Sequence, residues 1–177
     1  METNNLNHEI EIWDLYDKDG NTTGLSHVRG VPIPDGYYHL AVHIWIKNAQ
    51  GQYLIAQRAE TKDTNPLKWE CQGGSVLKGE NSLQGALREV KEEVGIDLNP
   101  ECGQVVFSKR RDIVNGKRFN DLMDVWVFDY DGEVNLKNAT TDEVAAIKWM
   151  WPDEITEMFN SGEMVDTLGY FFEKVNK

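Results

Sequence analysis

The chain has 177 residues, 40% hydrophobic and 27% charged, the balance of an ordinary soluble globular protein with room for one proper core. Its formal net charge of −12 argues against a nucleic-acid surface or an anionic membrane as the main partner, because both attract basic patches. Phosphate-bearing small molecules stay open, provided that a metal supplies the local positive charge.

Residues 9–16 alternate polar and apolar, the mark of a half-buried strand, and Asp17-Lys-Asp-Gly-Asn21 is turn chemistry that can return the chain as a second strand. No signal peptide precedes them, and no apolar run reaches the roughly 18 residues of a membrane span. Residues 28–36 hold two prolines and two glycines and form an irregular connector. The expected organisation is therefore an N-terminal extension, 1–36, packing on a domain of residues 37–177. Leu40, Val42, Ile44 and Ile46 alternate with Ala41, His43 and Trp45 in a strong strand, and residues 52–58 return after a turn. A polar loop, 59–68, leads to a short strand at residues 69–71, which delivers the chain to Gly73-Gly74.

Leu83, Leu87, Val90 and Val94 then mark an amphipathic helix, with Asn81 or Ser82 as its cap and Gly95 as its stop. Glu89, Glu92 and Glu93 fall within an arc of roughly 100° on the side away from those apolar residues. Beyond Asn99-Pro100, strands are expected over 105–114 and 118–130, joined by an Asn115-Gly116 hairpin turn, and over 144–151. Pro152 opens a helix with Ile155, Met158 and Phe159 on its stripe. After Gly162 a final helix is expected, packing Met164, Leu168, Phe171, Phe172 and Val175. Strands in a mixed sheet with helices on both sides make a layered α/β domain.

Three carboxylates on one helix face repel one another unless a hard cation neutralises them. In isolation such a run reads as a solvated acidic face. The glycines and the spacing around it change that reading. Gly74, Glu80, Arg88, Glu89, Val90, Glu92, Glu93, Gly95 and Ile96 meet every fixed position of G-x5-E-x7-R-E-U-x-E-E-x-G-U, with U aliphatic. A chance match has a probability on the order of 10⁻⁹ per window. The stretch resembles the Nudix box, and the order of elements is similar to the α/β/α sandwich of Nudix domains.

The resemblance implies a Mg²⁺-dependent hydrolase, with Mn²⁺ as an alternative ion, that cleaves a pyrophosphate linkage in a nucleoside diphosphate derivative. It implies metal ligation by Glu89, Glu92, Glu93 and the carbonyl of Gly73, and an Arg88–Glu80 pair that holds the carboxylates. The residue activating water is either Glu89 or Glu143, six residues before Trp149, with Asp121 and Asp124 weaker candidates. Arg58, Trp69 and Gly74 are candidates for substrate contact, although Trp45, Trp69 and Trp126 read first as core.

His39 and His43 are roughly 13 Å apart along a strand, too far for one ion, and read as packing or surface residues. Cys71 and Cys102 form no ligand pattern and read as reduced thiols of a cytoplasmic protein. Residues 13–20 and their spacing to His39 resemble the branch that contains type I isopentenyl-diphosphate isomerases. Those enzymes need a cysteine and metal-binding histidines. Gly73 and Ser75 occupy those positions here and the box is intact, so a hydrolase is the expectation. An isomerase-like enzyme and a non-catalytic nucleotide sensor are the alternatives. A homodimer is compatible with the strand edges, and the Lys109-Arg-Arg111 cluster has no specific assignment.

Overall fold

In the computed structural model, which describes residues 10–176, the alternating segment becomes β3 (His39–Lys47) at the centre of a mixed sheet. Both of its faces are buried: Val42, Ile44 and Ile46 on one, Trp45 on the other. Burial on two faces is why the strand reads as a nearly continuous apolar run. On one side β3 pairs in parallel with β8 (Lys117–Asp129), and β8 pairs antiparallel with β7 (Gly103–Val114). The turn between β7 and β8 is Asn115-Gly116, both left-handed, as that dipeptide predicts.

On its other side β3 meets β4 (Tyr53–Arg58) only at Ile46↔Leu54 and Lys47↔Tyr53. The two strands then diverge, and the chain from β5 (Trp69–Glu70) to β6 (Gln72–Ser75) enters between them. β5 pairs with β4 at Ala56↔Glu70 and Gln57↔Trp69, while β6 pairs with β3 from Ala41↔Ser75 to Ile44↔Gln72. The outer side of β4 is taken by β9 (Val144–Met150).

The box helix α1 (Ser82–Val94) covers one face of the sheet. Asn81 is its cap, in a reciprocal arrangement with Gln84, and Gly95 ends it at φ 72°. Ala86, Val90 and Val94 are wholly buried against β3 and β8. Helix α2 (Pro152–Asn160) and residues 164–171 cover the opposite face through Ile155, Met164, Leu168 and Phe171. The layering is thus the expected α/β/α sandwich. No helix of the described residues is long and apolar enough to cross a membrane.

The final helix is the main departure from the sequence reading. Residues 166–168 form a 3-10 turn and Phe171–Val175 a single π-type turn. Met164 is extended, because the Trp69 N–H donates to the Glu163 carbonyl and the Val165 N–H to the Trp69 carbonyl, each at 3.0 Å. The same apolar side chains pack as expected, but the backbone on either side of Met164 serves β5 and the helix is left as two separate turns.

At the N-terminus, β1 (Ile12–Tyr16) and β2 (Thr22–Val28) form an antiparallel hairpin. Its first strand begins at Ile12, and Glu9 lies outside the described residues. Trp13 and Leu15 are buried, the Trp13 ring stacks on His39 at 4.2 Å, and Tyr16 and Tyr38 exchange backbone hydrogen bonds. The Ile12 carbonyl and the Asp14 carboxylate accept from Lys78 and Gly79 in the loop before α1.

A Cβ at Gly95 would lie 2.6 Å from the Asn138 carbonyl carbon, in addition to its left-handed backbone. Gly95→Ala is therefore expected to lower the unfolding free energy by about 1–3 kcal/mol. Gly116→Ala, at φ 77° with open space around it, should carry only the backbone cost. Urea denaturation of the two variants measures the difference, and equal losses would show that the contact with residues 138–139 contributes nothing.

Candidate active site where the box helix meets the glycine strand

Divergence of β4 leaves one edge of β6 without a strand partner. In an antiparallel ladder, alternate residues direct both their N–H and C=O away from the neighbouring strand. Gly73 and Ser75 are those residues of β6, since Val76 donates to Leu40 and sets the register. The Gly73 N–H donates to Glu93 Oε2 at 3.2 Å, and the Ser75 carbonyl accepts from Arg88 Nη2 at 2.8 Å. The Gly73 carbonyl shares the edge of its N–H. The box helix thus docks its polar residues on strand backbone.

Close approach requires the glycines. A Cβ on Gly74 would sit 2.4 Å from the Glu89 carboxyl, and one on Gly73 would sit 2.4 Å from the Val42 carbonyl oxygen. The acidic arc of α1 is consequently covered, not solvated. The Glu89 side chain is 13% exposed and Glu93 is 7% exposed as a residue, while Glu92, at 36%, reaches the surface. Burial pushes the Glu89 carboxyl up to about 7 against the pull of Arg88. It pushes Glu93 well above the ordinary range, reinforced by the charges of Glu89, Glu70 and Glu143.

Arg88 is the hub of the cluster. Its Nε donates to Glu80 at 2.8 Å, as the box spacing predicts, and Nη1 donates to both Glu89 and Glu92 at 2.9 Å. Glu80 also accepts from the Leu77 N–H, closing the turn before α1.

A second tier of charges lies around this centre. Glu70 pairs with Arg58, whose Nε donates to the Thr64 carbonyl, so the candidate substrate residue Arg58 ties the loop 59–68 to β5. Glu143 pairs with Lys62 at 2.6 Å. The chain just before it is anchored at the end of α1, where Thr140 and Thr141 donate to the Glu92 carbonyl. The negative charge of Glu143 adds, as the smallest of the named causes, to the upward shifts of Glu70, Glu89 and Glu93. Glu70 was not among the sequence candidates. Its one signal was a carboxylate in an otherwise apolar short strand.

Other candidates lie elsewhere. Trp69, considered for stacking on a base, is 7% exposed in the core on the α2 side and has Lys148 over its ring at 4.8 Å. Asp121 is buried in a two-bond pair with Arg111, and Asp124 accepts from Ser108, so neither joins the carboxylates. His39 and His43 are packing residues kept neutral by burial, His39 at about 4 and His43 at about 3. The His43 Nδ1 lies 2.7 Å from the Tyr170 hydroxyl. The Cys71 sulfur lies 4.0 Å from that hydroxyl, and burial pushes its thiol well up. No reactive thiol of the isomerase kind is formed there.

Among the described residues, no three His, Cys, Asp or Glu side chains converge into a ready-made metal cage. The candidate ligand atoms around Gly73 are nevertheless all oxygens, and the buried Glu93 carboxylate has no cationic partner among the described residues, while Glu89 shares Arg88 with Glu80 and Glu92. That set suits Mg²⁺, which takes one or two carboxylates and completes its shell with water and substrate phosphate.

The raised carboxyls have a consequence for stability. A group raised from 4.5 to about 7 stabilises the fold fully below about 4.5 and loses that contribution as pH rises through about 7. Without divalent cations the protein is expected to lose stability over that interval, with a shallower loss in Glu89→Gln. Urea midpoints across the interval measure this, and parallel profiles for the two proteins would reject buried charge as the cause.

The family model described as the NUDIX domain matches residues 37–170. An uncharacterized Nudix hydrolase of Listeria innocua is 34% identical over 164 residues, covering 92% of this chain and 91% of that protein. The crystal structure of DR0079 from Deinococcus radiodurans has a TM-score of 0.72 at 20% identity, covering 94% of this chain and all of that one. A bifunctional NMN adenylyltransferase/ADP ribose pyrophosphatase from Francisella tularensis, complexed with AMP and a manganese ion, has a TM-score of 0.57 at 21% identity. It covers 81% of this chain and 43% of that one. At such identities the structural likeness concerns the fold. With the intact box, the family match and the Listeria relative together, the chain belongs to the Nudix superfamily and is a Nudix hydrolase.

Proposed function

We propose that the protein hydrolyses a pyrophosphate linkage in a nucleoside diphosphate derivative, in a reaction that depends on Mg²⁺ or Mn²⁺. The observation that carries this reading is Glu93, buried on the Gly73 N–H with no cationic partner among the described residues, beside Glu89, which shares the single Arg88 guanidinium with Glu80 and Glu92. When bound, the metal neutralises phosphate charge and aligns the attacked phosphorus with water. Glu93, Glu89, Glu92 and the Gly73 carbonyl would hold it. Arg88 keeps Glu89 and Glu92 in register with β6, and Gly74 lets Glu89 approach. A carboxylate near the attacked phosphorus would take up the proton of the attacking water, with Glu89 and Glu143 as the two candidates for that role. The loop 59–68, tied down through Arg58, forms one wall for the group attached to the diphosphate. The Francisella neighbour, with AMP and manganese, is consistent with a nucleotide-type ligand on this fold.

Glu93→Gln is expected to keep the fold and lower turnover by about 10²–10⁴-fold. The measurement is phosphate or pyrophosphate release over a panel of nucleoside polyphosphates, ADP-ribose, dinucleotides and nucleotide sugars. Unchanged turnover in that variant would remove Glu93 from the assignment. Chelation by EDTA should abolish the activity and added Mg²⁺ restore it; activity that survives thorough chelation would overturn the metal-dependent mechanism.

A further inference from the structure

Three cations act on the carboxylates around Gly73, and they are held in different ways. Arg88 donates to Glu80, Glu89, Glu92 and the Ser75 carbonyl, so its position is fully determined. Arg58 is bonded to Glu70 and to the backbone of Thr64, and its side chain is only 16% exposed. Lys62 has one ionic partner among the described residues, the Glu143 carboxylate at 2.6 Å. The Lys62 side chain is 20% exposed and the Glu143 side chain 42%, so the pair opens to water on the glutamate side, and a single ion pair with one solvated partner is weak and exchangeable.

The backbone of Glu143 is fixed independently of that pair. Its carbonyl accepts from the Ala59 N–H at 2.8 Å, and Thr140 and Thr141 are bonded to the end of α1. Its carboxylate can therefore change partner by side-chain rotation alone. The loop that carries Lys62 is closed at its ends by Arg58–Lys68 and Leu67–Arg58 backbone bonds.

A divalent cation at Glu89 and Glu93 changes the local balance. It attracts the Glu143 carboxylate and repels the Lys62 ammonium, and both effects act against the same weak pair. We propose that Lys62 is a resident counter-ion of the active site: it holds Glu143 while no divalent cation is bound and surrenders it when one enters. Cation binding thereby frees Glu143 and releases residues 60–63, the part of the loop that Arg58 does not hold, in one event. This inference rests on the metal-dependent reading of the site.

The test is a calorimetric titration of the substrate-free protein with Mn²⁺, accompanied by hydrogen exchange at the amides of residues 59–68. Removing the competitor in Lys62→Met should tighten Mn²⁺ binding about two- to five-fold, the range expected for an exposed ion pair, whereas Lys62→Arg should remain near wild type. In a Glu143→Gln background, Lys62→Met should change the affinity by less than half as much. Exchange in the loop should quicken on adding Mn²⁺ to wild type and should already be fast in Lys62→Met. Equal affinities for wild type and Lys62→Met, or an undiminished effect in the Glu143→Gln background, would overturn the counter-ion role. Unaltered Mn²⁺ affinity in Glu93→Gln would overturn the metal reading itself, so the two failures are distinguishable.

Discussion

The free edge of β6 is the constraint on which the site depends. β3 and β4 share only two register pairs before they diverge, and the strand that fills the gap meets β3 alone along Gln72–Ser75. Gly73 and Ser75 are left with backbone groups that no strand takes. Such groups need partners when buried, and the polar side of α1 supplies them: a carboxylate for the Gly73 N–H and a guanidinium for the Ser75 carbonyl. The absence of side chains at Gly73 and Gly74 sets how closely the helix can lie. Fold and site are therefore one problem in this chain, because the ladder defect that the sheet must repair is repaired by the residues proposed to hold the metal.

That solution places like charges together under partial burial. The cost is contained because the opposite side of α1, through Ala86, Val90 and Val94, is wholly buried against β3 and β8. Apolar burial there is independent of pH, so it holds the helix in place whichever protonation state the glutamates adopt. Arg88 does the remaining work through geometry. Its planar fork reaches Glu80, Glu89, Glu92 and a backbone carbonyl at once, whereas a lysine presents a single point of charge on a flexible stem. Glu93 is the member of the arc that Arg88 does not reach, and it takes only the Gly73 N–H. The most deeply buried carboxylate is thus also the least neutralised.

Much of this was legible from residues alone. The box spacing located Glu80 opposite Arg88, the Asn115-Gly116 dipeptide located the hairpin turn, and Asn81 and Gly95 bounded the helix. What escaped were features decided by distant parts of the chain. Periodicity tells which side chains share a face, not what covers that face: the box spacing marks the acidic arc of α1 as a candidate metal-binding face, but only the fold shows β6 against it. The stripe from Met164 to Val175 has helical spacing, yet Glu163 and Val165 bond to Trp69, a partner almost a hundred residues earlier. Asp121 looked available as an acid, and only the fold brings Arg111 to it from the neighbouring strand. Trp69 reads first as core, with its place beside the glycines offering substrate contact as the exception; alternation along the strand turns its ring into the core of the other face.

Part of the chain's acidic excess is gathered at the site. Glu70, Glu89, Glu92, Glu93 and Glu143 form a concentration of negative potential, and Arg88 and Arg58 are committed to holding parts of it in place. An anionic substrate approaching that surface alone meets repulsion, and a divalent cation meets attraction. On the proposed reading, electrostatics therefore impose an order: the cation enters first, or enters as the counter-ion of the substrate, and the phosphates follow. A positively charged pocket would bind phosphates at any time and bind many of them. A negative one that must first be inverted admits phosphates only together with the metal that makes them reactive, and selection among substrates then falls to the loop walls rather than to the charge of the diphosphate.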